Sequence, residues 1–392
     1  RNGLRCRNDM RFQAAISVLH TVHAVRPLPM HMACYDSTKN IISRRAVCGG
    51  AAISIGAGLP ISVGASGPAI FTPPTGSLQG TTIVITGANT GLGLESAKRL
   101  AAADARVVVT ARTQVKADAA VSAVKSTTPQ ARVVGVELDL ASLSSVRTFV
   151  SRLEAAIGDD AVDVLMNNAG VMAIPERLST EDGFERTIGV NHLGHFALVA
   201  SLLPTLKRAS SGFRIVNLSS DAHRFVTPSA MSDALSASLD ELKYSTWGVY
   251  GISKAANVLF TEELQRRFDK AGLQGSAVSL HPGVVQTDLA RYIIGGLSAG
   301  DTRLSETAPE PTGLGALVKG ALDKVILTVP QGANTQVYLA AATDTGGDRT
   351  KRAGSYFDKM VVAKPSEAST DPMLALRLWE LSEKLTGAKI DI

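Results

Sequence analysis

Thr82-Ile83-Val84-Ile85-Thr86-Gly87-Ala88-Asn89-Thr90-Gly91-Leu92-Gly93-Leu94-Glu95-Ser96-Ala97-Lys98-Arg99-Leu100 decides the fold of this 392-residue chain. It divides into a β-branched run, a turn punctuated by glycine, and a segment whose apolar positions 94, 97, 100 and 101 recur with helical period. Branching at Cβ favours extended backbone, so the stretch reads as strand, tight turn, helix. Glycines at 87, 91 and 93 allow the turn without steric cost and let the backbone come close to a ligand. The first amides of the helix then face outward at its positive end, where a pyrophosphate is stabilised. The spacing Gly-x3-Gly-x-Gly differs from G-x-G-x-x-G, and alone it would equally describe a glycine-rich turn that binds nothing.

Apolar runs alternate with helical patterns from residue 81 onward, the arrangement of parallel strands joined by right-handed crossovers. The expected fold is α/β: a doubly wound Rossmann-type parallel sheet with helices on both faces, one domain over residues 80–392. The second strand, Arg106-Val107-Val108-Val109-Thr110, runs into Ala111-Arg112-Thr113. Folds that prefer NAD place an acidic residue near that point to grip the ribose hydroxyls. Here Arg112 stands where its planar guanidinium can pair with a 2′-phosphate, which favours NADPH over NADH; the plainer alternative is that it only solvates a loop.

Further along come Asn167-Asn168-Ala169-Gly170, Asn191, Ser220, Tyr250-x3-Lys254 and His281-Pro282-Gly283. In this order, after the glycine turn, they resemble the short-chain dehydrogenases/reductases, over about residues 80 to 390. Asn-His-Leu-Gly-His-Phe at 191–196 and the Ala-His-Arg-Phe after Ser220 resemble most the retinol-dehydrogenase-like group. That group includes WW-domain oxidoreductases, a reductase associated with the plastid import translocon and, more distantly, light-dependent protochlorophyllide reductases.

The resemblance implies a role for each matching position. Gly87, Asn89, Thr90, Gly91, Leu92 and Gly93 would cradle the pyrophosphate, with Asp139 and Leu140 at the adenine and Asn168, Ala169 and Gly170 beside the second ribose. Pro282, Gly283 and Thr287 would meet the nicotinamide end. Asp139 could also simply stabilise a helix start near Ser142. Asn191 would hold a water near Lys254; it falls within a helix expected from about 179 to 207, where asparagine is disfavoured because its amide competes for backbone bonds. Ser220 matches the family serine, with Ser219 the alternative.

Tyr250 and Lys254 lie four apart, on one helix face. Carbonyl reduction delivers hydride to carbon while a proton reaches oxygen. A phenol of ordinary pKa about 10 gives up its proton reluctantly, so a neighbouring ammonium is expected to lower Tyr250. Tyr250 would be the general acid in reduction and the base in oxidation, Ser220 would fix the substrate oxygen, and Lys254 would also hold the nicotinamide ribose. The implied function is NADPH/NADP-dependent interconversion of a hydrophobic aldehyde or ketone and its alcohol. Two alternatives stay open: light-dependent protochlorophyllide reductase, against which the residues at 167–170 and the cysteine-free core speak, and a non-catalytic NADPH-sensing component of a plastid complex. Thirty residues separate Ser220 from Tyr250, enough for an added loop and short helix holding Trp247 near the substrate mouth.

Charge is unevenly placed. Residues 1–80 hold eight Lys/Arg and two Asp/Glu, leaving 32 basic against 33 acidic residues in the remainder, so the pI of about 9.1 is no sign of a basic folded face. Nucleic acid is not an expected partner. The three cysteines, Cys6, Cys34 and Cys48, all precede the domain, which leaves it no disulfide or thiolate, and no metal site is expected. Residues 1–79 read as a targeting leader rich in arginine and poor in acid. Ser43-Arg44-Arg45 ahead of a glycine-rich apolar run resembles a twin-arginine signal. A bipartite plastid leader, to stroma or thylakoid, and a plain transit peptide, plastid or mitochondrial, both fit. Peripheral membrane association and a homo-oligomer are further open expectations.

Overall fold

The computed structural model describes residues 68–239, 244–285, 327–342 and 353–392. The β-branched runs form a sheet of eight strands in the order β3-β2-β1-β4-β5-β6-β7-β8. These are β1 (Thr82–Ile85), β2 (Arg106–Ala111), β3 (Val133–Glu137), β4 (Val164–Asn167), β5 (Phe213–Leu218), β6 (Gly275–His281), β7 (Tyr356–Asp358) and β8 (Val361–Ala363). The first seven pair in parallel; β8 turns back antiparallel on β7.

Both faces of the sheet are covered, which is why its strands are apolar at successive positions. On one face Ile83, Ile85, Val107 and Val109 pack with Ala97 and Leu100 of α1 (Gly91–Ala102), Val124 of α2 (Gln114–Lys125) and Val337 of α8 (Asn334–Ala341). On the other, Val84, Val108 and Leu165 meet Phe149 of α3 (Leu143–Ile157), Phe196 of α4 (Gly194–Leu206) and Phe260 of α6 (Thr246–Ala271). A third cluster joins α5 (Pro228–Ser236), α6 and α9 (Pro372–Thr386). The far end of α6 is fastened by Glu263, which binds Arg266 and Arg267 at 2.6 and 2.7 Å, while the Arg267 guanidinium lies 4.1 Å from the Trp379 ring of α9.

Two boundaries differ from the sequence reading. The helix expected from about 179 starts at Arg186 and is interrupted by a π turn, Gly189–Leu193, before α4 begins. Pro68 to Gln79, assigned to the leader, lie against the domain. Leu78 is buried, and Phe71 meets Tyr338 edge-on at 5.5 Å. Asn334 accepts from Phe71 N–H at 2.9 Å and donates to the Ala69 carbonyl at 2.8 Å, and buried Arg99 donates to the carbonyls of Phe71 and of Pro330 in α7 (Val329–Gly332). The Ser43-Arg44-Arg45 signal lies outside the described residues. Among the described residues no helix is long and apolar enough to cross a membrane.

Residues 68–79 thus contribute to stability. Leu78→Ala should destabilise the protein by about 2–5 kcal/mol, the range for deleting a buried leucine, read as a shift in the urea unfolding midpoint; an unchanged midpoint would mean the segment is dispensable.

Candidate active site

β1 and β4 are neighbours, and the loops leaving their carboxyl ends are in contact. Thr86 N–H donates to the Met166 carbonyl at 3.0 Å, and the Asn168 amide donates to the Thr86 carbonyl at 2.8 Å. Gly87 has φ +62°, and a Cβ there would sit 2.9 Å from that of Ala169. A Cβ on Gly93 would fall 2.6 Å from both the Asn168 amide nitrogen and the Gly87 carbonyl. Gly91, at φ +54°, completes the turn. The first turn of α1 contains no acidic side chain, so its positive end is not neutralised from within the helix. This cradle, which side chains would fill, fits a dinucleotide pyrophosphate. Asn89, Thr90 and Leu92 lie along its wall.

Gln336 was missed by the sequence reading. Buried in α8, its amide donates to the Leu92 carbonyl at 3.1 Å, to Ser96 Oγ at 2.6 Å and to Asn168 Oδ1 at 3.2 Å. It joins the two loops from the side, and nothing local marks it. Arg112 is exposed at the end of β2. Asp139 accepts from Ala141 N–H at 2.9 Å and its own N–H donates to Ser145 Oγ, so it folds the turn ahead of α3 with Leu140 buried beside it. Pro282 and Gly283, the latter at φ +90°, follow β6 at the same sheet edge. Thr287 lies outside the described residues.

The four residues expected to handle the proton, Asn191, Ser220, Tyr250 and Lys254, converge next to this cradle. The π turn presents Asn191, whose Oδ1 accepts from Val171 N–H at 2.8 Å and whose Nδ2 donates to the Val171 carbonyl at 2.9 Å and to Ser253 Oγ at 3.0 Å. π turns occur often at functional sites. A Cβ on Gly170 would be 3.2 Å from Asn191 Oδ1 and 3.6 Å from Lys254 Nζ, so the glycine lets these two approach. Lys254 donates to the Leu218 carbonyl at 3.1 Å, and its Nζ is 5.7 Å from the Tyr250 ring centroid. The Ser219 hydroxyl is occupied by the Lys254 carbonyl at 2.8 Å, whereas Ser220 Oγ accepts from Ala222 N–H at 3.2 Å and draws the pKa of the nearby Tyr250 phenol downward. Ser220 is thus the serine facing the phenol.

The electrostatics reverse one expectation. Burial pushes Tyr250 up to about 12, against a lowering by the Ser220 bond. Burial also draws Lys254 down to about 8. The sequence reading weighed the ammonium's attraction and not the loss of water, and in the protein alone desolvation dominates.

His281 pairs with Asp221: its Nε2 stands 3.3 Å from the carboxylate, and its Nδ1 accepts from Asp221 N–H. Among the described residues no cluster of His, Cys, Asp and Glu could hold a metal. Trp247 is half-exposed, edge-on to Tyr250 at 6.2 Å, and Phe225 and Val284 are exposed too.

Comparison with known proteins gives a consistent picture. The family model described as short chain dehydrogenase matches residues 81–238. The chain is 37% identical over 317 residues to retinol dehydrogenase 13 of Homo sapiens, covering 80% of this chain and 87% of that protein. It is 36% identical over 313 residues to short-chain dehydrogenase TIC 32 B, chloroplastic, of Brassica napus, covering 78% and 89%. An uncharacterized protein from Mycobacterium Paratuberculosis has a solved structure with TM-score 0.58 and 34% identity, covering 83% of this chain and all of that one. L-sorbose reductase from Gluconobacter frateurii, solved with NADPH and L-sorbose, shares the fold at TM-score 0.52 and 20% identity, covering 71% and 95%.

Two buried histidines near the site set an acid limit on stability. Burial holds His192 down to about 3 and His195 to about 4, while in the unfolded chain each takes up a proton near pH 6.5. The unfolded state therefore binds more protons between those values, and stability is lost as pH falls from about 6.5 toward 4. Urea midpoints should drop between pH 7 and pH 5, above the range where ordinary carboxylates titrate; a flat profile there would contradict the burial of neutral imidazoles.

Proposed function

The chain belongs to the short-chain dehydrogenase/reductase family, in its retinol-dehydrogenase-like group, and on that premise we propose that it is an NADPH-dependent reductase of a hydrophobic aldehyde or ketone. The observation that carries the reading is Tyr250, a buried phenol beside Ser220 and Lys254 whose burial favours its protonated form. Such a group is a proton donor at neutral pH, and reduction needs a proton at the carbonyl oxygen. The nicotinamide cofactor, when bound, supplies the hydride.

Ser220 acts on Tyr250 at close range, so one substrate oxygen can reach both: Ser220 orients it and Tyr250 gives it the proton. Lys254, with a pKa near 8, is mainly charged at pH 7 and stabilises the phenolate left behind. Asn191, pinned by Val171 and Ser253, borders the route by which the proton returns. The oxidative direction asks Tyr250 to start as phenolate, which its burial opposes. Arg112 at the end of β2 supports the choice of NADPH, and the exposed faces of Trp247, Phe225 and Val284 support an apolar substrate. Plastid residence is part of the proposal, supported by the leader's composition and by the chloroplastic relatives.

The test is NADPH oxidation by the purified protein against lipophilic aldehydes and ketones. Tyr250→Phe should lower kcat by about 10²–10⁴-fold, the range for losing a general acid, while NADPH still binds. Turnover surviving in that variant would sink the assignment of Tyr250, and tight NADPH binding with no turnover by the wild type would favour sensing over catalysis. Arg112→Glu should cut the preference for NADPH over NADH by about tenfold or more, since it replaces a guanidinium suited to phosphate with a repelling carboxylate.

A further inference from the structure

We infer that His195 is a positioning residue whose ring ties the Thr86 hydroxyl, at the head of the glycine turn, to the main-chain carbonyl of Asn191, so that the cofactor turn and the catalytic π turn move as one piece. His195 is buried in the first turn of α4. Its Nδ1 is 3.1 Å from the Asn191 carbonyl oxygen and its Nε2 2.9 Å from Thr86 Oγ1. A carbonyl can only accept, so Nδ1 carries the hydrogen, and in a neutral ring Nε2 must then accept from Thr86. The hydroxyl has one proton, and the Met166 carbonyl, at 3.3 Å, is the longer partner. The same oxygen accepts from Ala169 N–H at 2.9 Å. A directed line of bonds therefore runs from the β4 loop through Thr86 and His195 to Asn191, with each donor and acceptor used once.

The plain alternative is a core histidine that merely satisfies its own polar atoms. His192, one π turn away, fits that description: its Nε2 bonds Ser382 of α9 at 2.8 Å and its Nδ1 meets no partner among the described residues. His195 differs because both of its partners belong to segments of the proposed site. In the π turn the Gly194 N–H reaches back five residues to Gly189; the wider pairing loosens the helix where Asn191 must be held. The ring's bond to the Asn191 carbonyl braces that turn, and its bond to Thr86 ties the brace to the dinucleotide loop.

The inference rests on the reductase reading for its kinetic test but not for its binding or spectroscopic test. Thr86→Val, His195→Phe, the double variant and His195→Asn are compared with the wild-type chain. His195→Phe should lower kcat by about 10–100-fold, as expected of a small misplacement of reacting groups, with KM for the carbonyl nearly unchanged. Thr86→Val should act likewise, and the double variant should be no worse than the more damaged single one, because one linkage is lost only once. His195→Asn, which restores a donor near the Nδ1 position but not the bond to Thr86, should behave like Thr86→Val. A purely structural histidine would instead lower the melting temperature with kcat intact, or give additive losses, and either result overturns the inference. If no carbonyl is turned over by the wild type, the functional reading falls, and the same cycle is read in NADPH affinity, where non-additivity supports the linkage and additivity overturns it. Nitrogen-15 spectra of the wild type should show His195 as the neutral Nδ1–H tautomer near pH 7; an Nε2–H tautomer or an imidazolium overturns it without reference to activity.

Discussion

The approach of Gly87 to Ala169, too close for a side chain on the former, is the constraint on which the site depends. It brings the loop after β1 against the loop after β4, at the point in the strand order where crossovers diverge to either side. Open α/β sheets bind ligands at such a crevice because the loops on its two flanks lead away from each other. One loop opens into the amides of α1; the other leads through Gly170 to Asn191 and Lys254. The glycine cradle and the proposed proton-handling residues thus adjoin because two neighbouring strands end together, and Asn168, Gln336 and Thr86 hold that junction from within the fold.

Buried charge is used sparingly in this junction. Lys254 donates to the Leu218 carbonyl at the end of β5, while burial draws its pKa down to about 8. His195 stays neutral through burial first, offset by its bond to the Asn191 carbonyl and reinforced by the nearby lysine. A second cation there would have to be desolvated against the first, so the polar framework is made of amides, hydroxyls and a neutral ring. Tyr250 follows the same rule, retaining its proton where an anion would be poorly solvated.

Much of this was readable in the sequence because its signals are local. A β-branched run, three glycines and a helical period lie within twenty residues at 82–101, and the four-residue step from Tyr250 to Lys254 places both on one face wherever the helix sits. Asn191 stood out as an asparagine amid helical pattern, although the π turn did not, since one extra residue in a turn leaves no compositional trace. Gln336, Arg99 and Asn334 were illegible for a different reason. Their partners lie far off in the chain, Asn168 being 168 residues from Gln336, and only tertiary packing brings them together. That residues 68–79 pack on the domain was not legible, because their uncharged, glycine- and proline-rich composition is the same as that of the run before them. The direction of the Tyr250 shift turns on the depth of burial, which spacing does not report.

Helix α6 has a mechanical consequence. Tyr250 stands near one end, and the fastening of Arg267 to Trp379 and Glu263 stands seventeen residues away, about 25 Å at 1.5 Å per residue. A rigid rod of that length converts a rotation of about 1° at its distant bearing into a displacement of about 0.4 Å at the phenol, close to the roughly 0.5 Å tolerance of a working site. The alignment of the proposed proton donor is therefore a matter of angular stiffness, set in part where the Arg267 guanidinium rests on the Trp379 ring of α9.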